Sequence, residues 1–161
     1  MSFLDGQRAG CAERQRERGR LPDRLVEQVE TYLLPSTDLR LPGERPHLIH
    51  ADLTEDHLLG RVTAGCWTSM ALIDFGDART GSLFYELGAL HLSLFGADRR
   101  LLSVFLEAYG ATGLDGADFA RRAMSCALLH EFNVFEGLAQ RPDLREVETL
   151  EQMGEALWNP G

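Results

Sequence analysis

Two acid-bearing loops joined by a predicted hairpin constrain this chain more than any other feature of its sequence. The first loop reads His50-Ala51-Asp52-Leu53-Thr54-Glu55-Asp56-His57, and the second reads Ile73-Asp74-Phe75-Gly76-Asp77. Between them, residues 58–62 and 67–73 have the composition of short strands, and residues 63–65 have that of a turn. Such a hairpin brings both loops to the same end of its paired strands.

Asp52 and Asp74 are the acids that this arrangement places together. Phosphoryl transfer needs one carboxylate that orients or deprotonates the attacking hydroxyl, and another that holds the magnesium ion bridging the nucleotide phosphates. Asp52 suits the first role and Asp74 the second. The two loops therefore predict a phosphoryl-transfer site.

At these residues the sequence resembles the aminoglycoside phosphotransferase family, kinase-like enzymes whose catalytic loop reads approximately HGDxxxxN and whose metal loop reads approximately IDFGDA. Residues 73–78 match the metal loop completely, and His50 and Asp52 match the catalytic loop. Residues 81–90 are similar to the start of a family helix, with Glu86 where Asp is usual. The resemblance spans roughly residues 1–135 and is confined to the C-terminal lobe.

The resemblance implies an α+β, mainly helical fold: a protein-kinase-like C-lobe with a small β-hairpin carrying the catalytic and metal loops. It implies transfer of a phosphoryl group from ATP, with Mg²⁺, to a hydroxyl of a small molecule. Asp52 is then the base, assisted by His50, which we expect to hold the loop through a hydrogen bond. Asp74 is the main metal ligand, and His57 and Asp74 are the residues expected to contact the nucleotide and its metal.

His57 departs from the family pattern, which has a metal-binding Asn at this position. Magnesium prefers oxygen ligands, whereas imidazole suits zinc, manganese and other transition ions. Three alternatives stay open: His57 donates a hydrogen bond to Asp52 or a phosphate, the site takes one metal through Asp74 only, or the site is degenerate. We favour the first two jointly. A metal-dependent hydrolase with His50, Asp52, His57 and Asp74 as ligands is a further alternative.

The chain contains no lysine, because all 16 of its basic residues are arginine. Kinase-like enzymes also need a glycine-rich loop over the phosphates and a strand lysine paired with a helix glutamate. No residues before His50 have the pattern of a sheet that would carry them. We therefore expect a single domain over residues 1–161 that corresponds to the C-lobe, with the N-lobe absent. A separate lobe or chain then supplies the lysine, or the chain is a truncated domain, or it is a non-catalytic binding or scaffold module.

The net charge and the hydropathy of the sequence limit the partners and the cellular location that we expect. The formal net charge of −9 disfavours nucleic acid, whose recognition rests on a basic face. No apolar run approaches the roughly 20 residues of a membrane span, and the amino terminus lacks the apolar centre of a secretory signal. We therefore expect a cytoplasmic protein with no membrane partner, in which Cys11, Cys66 and Cys126 are free and mostly buried thiols.

Apolar surface around the hairpin predicts association. Without an N-lobe, Leu58, Trp67 and Met70 are expected to be uncovered, and patches of this kind tend to bind a partner. The expected partner is a second copy of the chain or a separate N-lobe. The substrate is expected to be a small molecule with a hydroxyl group, but its identity does not follow from the sequence.

Periodicity predicts helices over residues 3–18, 22–34 and 144–158 and three apolar segments at 83–95, 101–109 and 119–135. His91 and His130 lie in these segments and are expected to be core residues. The basic run from Arg8 to Arg24 is interleaved with acids and is expected to form a solvated helix face. Three acids form either a wall for a cationic substrate or an ordinary surface; they are Glu131, Glu136 and Asp143.

Overall fold

The computed structural model of the protein describes residues 3–41, 43–111, 116–141, 144 and 146–159. Over these residues, helices are combined with two small antiparallel sheets, which confirms the expected mixture. The α-helices are α1 (Phe3–Arg8), α2 (Cys11–Arg18), α3 (Asp23–Val26), α4 (Val29–Tyr32), α5 (Leu83–Ala89), α6 (Arg99–Tyr109), α7 (Gly116–Leu128) and α8 (Leu150–Trp158). No helix in these ranges is long and apolar enough to cross a bilayer.

The hairpin predicted between the two acidic loops is present. Strand β2 (Leu58–Thr63) pairs antiparallel with β3 (Cys66–Leu72). Ala64 and Gly65 at the turn have φ angles of 51° and 78°, as a two-residue type I′ turn requires. The two acidic loops consequently meet at the open end of the hairpin.

A second ladder, which the sequence did not predict, holds the outer ends of the same loops. Strand β1 (His47–Ile49) pairs antiparallel with β4 (Arg79–Gly81). The sequence Arg-Thr-Gly of β4 has no alternating apolar pattern that would predict a strand. Because β1 precedes the first loop and β4 follows the second, each loop is anchored at both ends.

The core lies where α7 packs against α5 and α8. A π-helical turn, Leu90–Leu94, continues α5 and buries His91 completely. Burial lowers the pKa of His91 to about 4 and that of His130 to about 3. Both rings are therefore neutral near pH 7, and the expectation of core histidines is confirmed.

Four predicted helices have different limits in the structure. Gly10, at φ 68°, separates α1 from α2, so the single helix expected over 3–18 is wrong. The helix expected over 22–34 is likewise divided into α3 and α4. The apolar segment 119–135 is helical only to the end of α7 at Leu128, so His130 lies in a loop.

The last helix begins at Leu150 rather than at 144, because Thr149 and Gln152 form a capping box. The Thr149 hydroxyl accepts a hydrogen bond from the Gln152 backbone N–H at 3.1 Å, and the Gln152 carboxamide accepts one from the Thr149 N–H at 3.3 Å. These bonds satisfy two backbone donors of the first turn and fix the helix start.

The basic run between Arg8 and Arg24 is only partly a solvated face. Arg16 forms the expected exposed ion pair with Glu13 at 2.6 Å. Arg8 and Arg18 instead donate to backbone carbonyls of other segments, those of Leu34 and His130, at 2.8 and 3.0 Å. These guanidinium groups tie the amino-terminal helices to the core.

The cysteines are free, as expected: Cys11 and Cys126 are buried, and Cys66 is exposed on the hairpin. Burial raises the pKa of the Cys11 thiol to about 11, which keeps it protonated.

Both faces of the hairpin carry exposed apolar side chains. Val62 and Trp67 are opposite each other on β2 and β3 and are 67% and 55% exposed, and Met70 is 65% exposed. Leu58, which we expected to be uncovered, is half-buried. An isolated two-stranded hairpin of this kind is at best marginally stable in water.

Candidate active site

Asp52 lies on the loop that follows β1, and its backbone is held in place by the residue before it. Ala51 has φ 67°, a left-handed conformation that costs a residue with a Cβ about 1–2 kcal/mol. Its N–H donates to Oε2 of Glu86 on α5 at 2.8 Å. This bond turns the chain so that Asp52, half-buried, lines a cavity of about 440 Å³.

Glu86 anchors the catalytic loop to the core helix. Burial raises the pKa of its carboxyl group, and the hydrogen bond from Ala51 acts in the opposite direction. The sequence marked Glu86 only through the third family motif and indicated no contact with residues 50–52. The sequence signal for a contact between Glu86 and Ala51 is weak because the two residues are far apart along the chain.

His50 holds the first loop to the second. It is 4% exposed, and its Nε2 lies 2.8 Å from the backbone O of Ile73, the residue before Asp74. Because a carbonyl only accepts, this nitrogen carries the proton and donates. The ring also packs against Phe75, with centroids 4.8 Å apart. This is the loop-holding hydrogen bond that the sequence predicts for His50.

His57 joins the two loops a second time. Its Nδ1 lies 2.6 Å from the backbone O of Asp52, and its own backbone O accepts from the Ile73 N–H at 3.0 Å. Its Nε2 lies 3.7 Å from Oδ2 of Asp74. The structure therefore brings His50, Asp52, His57 and Asp74 together, as the two-loop arrangement predicts.

Asp74 exposes its carboxylate to solvent beside His57. Its φ and ψ are 62° and 60°, and its side chain is 64% exposed. Left-handed backbone in a residue other than glycine is a local strain that tends to occur at functional sites, and Asp tolerates it better than most residues. A 3₁₀ turn, Phe75–Asp77, follows directly.

The electrostatic environment raises the pKa of the Asp52 carboxyl group. Burial is the largest cause; the nearby His57 opposes it, and the negative charge of Asp77 adds to it. A raised pKa increases the basicity of the carboxylate, and a general base is most effective when its pKa approaches the working pH. Asp52 is thus a stronger proton acceptor than an ordinary surface aspartate.

The metal-dependent hydrolase alternative fits the geometry poorly. In the described part of the chain, no group of three or more His, Cys, Asp or Glu side chains is arranged to hold a metal ion. His50 Nε2 is already engaged by the Ile73 carbonyl, and His57 Nδ1 by that of Asp52. His57 Nε2 and Asp74 Oδ2 lie 3.7 Å apart and form a pair rather than a cluster of three.

The cavity beside Asp52 has an acidic and amide-bearing lining. Glu55, Asp56 and Glu136 contribute carboxylates. The Oδ1 atom of Asn133 is buried and has no hydrogen-bond partner in the described structure, so it is an acceptor without a donor. The sequence did not indicate Asn133, since it belongs to a loop that was expected to be helical.

The acidic wall suggested by the sequence is only partly assembled. Glu136 lines the cavity and also pairs with Arg20 at 2.7 Å. Glu131 is instead paired with Arg79 at 2.8 Å, so its charge is neutralised. Asp143 lies outside the described residues.

Two carboxylates on adjacent loops, Asp52 beside a cavity and Asp74 exposed to solvent, form a site suited to group transfer. The amino-acid sequence matches the family model of the phosphotransferase enzyme family, APH, over residues 2–124. The chain therefore belongs to this family, and the suspected resemblance is confirmed.

Proposed function

We propose that this chain provides the catalytic half of an ATP-dependent kinase that phosphorylates a hydroxyl group of a small molecule. The observation that carries the proposal is the joining of the Asp52 loop to the Asp74 loop by His50 and His57. Phosphoryl transfer depends mainly on positioning and on charge stabilisation, and two loops fixed to each other supply positioning.

Asp52 accepts the proton of the substrate hydroxyl, and Asp74 faces the nucleotide side. The exposed Asp74 carboxylate is a hard oxygen donor of the type that Mg²⁺ takes, whereas the nitrogen of His57 is not. A divalent ion, when bound, neutralises charge on the transferring phosphoryl group. Glu86, through Ala51, keeps Asp52 directed at the cavity.

We propose that the substrate is a hydroxyl compound that also carries hydrogen-bond donors, such as an amine. The cavity lining around Asp52 combines apolar side chains with hydrogen-bond acceptors, among them Glu136 and the unpartnered Asn133 Oδ1. A protonated amine donates hydrogen bonds and pairs with carboxylates, so it fits both features.

Residues outside this sequence complete the proposed kinase. Because the 161 residues include no lysine, the cation that pairs with the nucleotide phosphates comes from another segment or another chain. The exposed hairpin is the proposed contact surface for that partner or for a second copy of the chain. If neither another segment nor another chain supplies this cation, the protein is a non-catalytic scaffold.

Transfer of the γ-phosphate tests the proposed function. The chain is fused to, or mixed with, a lobe that carries a glycine-rich loop and a strand lysine, and amino alcohols are offered with labelled ATP. We expect a phosphate ester on the substrate hydroxyl, detected by ³¹P NMR. Hydrolysis of phosphate esters without ATP would instead favour the hydrolase, and absence of both activities would favour the scaffold.

Association is expected to depend on the hairpin. We expect residues 1–161 to form dimers or a lobe complex at micromolar concentrations. The double substitution of Val62 and Trp67 by Ser should make the protein monomeric, because both exposed apolar side chains are lost. Sedimentation velocity measures the shift. The control is the double Ser substitution of Leu101 and Val104, which are similarly exposed on α6. A monomeric wild-type chain with no dye-binding apolar surface would contradict the prediction.

A further inference from the structure

The imidazole of His57 has a fixed orientation and a fixed proton. Its Nδ1 lies 2.6 Å from the backbone O of Asp52 and 3.3 Å from the Thr54 hydroxyl. A carbonyl oxygen cannot donate, so Nδ1 carries the hydrogen and the neutral ring has its lone pair on Nε2. A histidine whose second nitrogen donates to a carbonyl in this way is oriented as metal-binding histidines usually are.

That lone pair faces Asp74. The 3.7 Å between His57 Nε2 and Asp74 Oδ2 is too long for a direct hydrogen bond. Two donors that each lie about 2.1 Å from one ion stand about 3.0 Å apart at a right angle and about 4.2 Å apart when opposite each other. The observed separation lies between these two octahedral values, so a small shift of the exposed Asp74 carboxylate lets the two donors share one ion.

Three contacts position His57 relative to the backbone that leads into Asp74. The Ile73 N–H donates to the His57 backbone O at 3.0 Å, which couples the residue before Asp74 directly to His57. The His57 ring also stacks on His50, with centroids 5.4 Å apart, and His50 in turn donates to the Ile73 carbonyl. The His57 ring and the backbone just before Asp74 are thus positioned by hydrogen bonds and by a neighbouring ring.

The chemistry of the pair determines which ion it takes. Mg²⁺ prefers oxygen donors in a near-ideal octahedron, whereas Mn²⁺ and other first-row transition ions accept imidazole together with carboxylate and phosphate oxygens. We propose that His57 Nε2 and Asp74 Oδ2 form a two-ligand site that selects a first-row transition ion such as Mn²⁺ over Mg²⁺. Water or phosphate oxygens fill the remaining positions. The inference deepens the proposed function, since the nucleotide phosphates would occupy them.

Pulsed electron paramagnetic resonance on the full chain tests the site without any phosphoryl transfer. Mn²⁺ is added below the protein concentration, alone and with inorganic tripolyphosphate, which contains no nitrogen. We expect the bound ion to show ¹⁴N modulation from one imidazole. Bound Mn²⁺ without ¹⁴N modulation would overturn the proposal, and so would absence of binding in both conditions, which would leave His57 and Asp74 as an ion pair.

Substitutions at His57 and Asp74 show which side chain supplies the nitrogen that couples to Mn²⁺. His57→Asn should remove the ¹⁴N signal, weaken Mn²⁺ binding at least about tenfold and make Mg²⁺ a better competitor, because an amide oxygen replaces the imidazole. Asp74→Asn should also weaken binding. Asp77→Asn removes the same charge three residues further along the loop, and we expect the ¹⁴N signal to persist. Unchanged Mn²⁺ affinity in a folded His57→Asn protein would contradict the assignment.

Failure of this proposal and failure of the proposed kinase function are separate outcomes. If the protein transfers phosphate while its bound Mn²⁺ shows no ¹⁴N coupling, Asp74 keeps its proposed role as a metal ligand and His57 does not bind the metal. A chain with the ¹⁴N signal but no transfer activity in any lobe complex would be a metal-binding member of the family without kinase activity.

Discussion

Asp52→Asn should lower kcat by about 10²–10⁴-fold in the lobe-completed protein, with a much smaller change in KM for ATP. The amide keeps the shape of the carboxylate but cannot accept the proton of the substrate hydroxyl. Since Asp52 lines the cavity and contacts neither β2 nor β3 through a hydrogen bond in the described structure, we expect the hairpin and its loops to remain folded. Initial rates at saturating ATP measure the effect.

The pH dependence of kcat provides a second measurement of the same role. Protonated Asp52 cannot act as a base, so the rate of the wild-type enzyme should fall as the pH falls through its folded-state pKa. Burial places that pKa above the ordinary aspartate value of about 3.9, so the acid limb should lie at higher pH than for an unperturbed carboxylate. The residual kcat of Asp52→Asn should not fall over this pH range.

Asp118→Asn is the matched control, because Asp118 is an exposed acid on α7 outside the cavity. Its kcat should equal that of the wild type. Equal kcat values for Asp52→Asn and Asp118→Asn would remove Asp52 from the mechanism and leave the loop with a structural role.

Local sequence was sufficient to predict the residues of the site that lie on the hairpin loops. Asp52, His57 and Asp74 are at most 22 positions apart and are joined by two strands whose turn residues, Ala64 and Gly65, have the expected conformation. A hairpin fixes the relative positions of its ends, so a linear pattern is enough to bring these side chains together.

The residues that support the site from other elements were not predictable in the same way. Glu86 contacts the backbone N–H of Ala51 across 35 positions, and Asn133 contributes its carboxamide oxygen to the cavity from the loop after α7. Neither contact leaves a periodic signal, because each depends on how α5 and α7 pack in three dimensions. The same limit explains why β4 was missed.

Helix limits failed where backbone conformation overrides apolar periodicity. The pattern of residues 3–18 continues through Gly10, yet its positive φ ends the first helix and starts another. Conversely, the capping box at Thr149 and Gln152 starts α8 later than its apolar face alone predicts. In both cases a one-residue feature determines the boundary.

The isolated chain should bind ATP with Mg²⁺ more weakly than about 1 mM, the upper end of ordinary substrate constants. Its turnover should be at least about 10³-fold below that of the lobe-completed protein, because the missing lysine and glycine-rich loop supply positioning and charge stabilisation. Asp74 and His57 are the expected nucleotide-side residues of this chain, and His57 Nε2 lies 3.7 Å from Asp74 Oδ2.

Calorimetry of ATP binding and a coupled ADP assay measure both quantities on the same preparation. Adding the lysine-bearing lobe should restore affinity and turnover together, and a lobe in which that lysine is replaced by Met is the control that should restore neither. Micromolar ATP affinity and steady phosphorylation of an amino alcohol by purified 1–161 alone would contradict the prediction. That result would mean that arginines of this chain, rather than a lysine from elsewhere, neutralise the nucleotide phosphates.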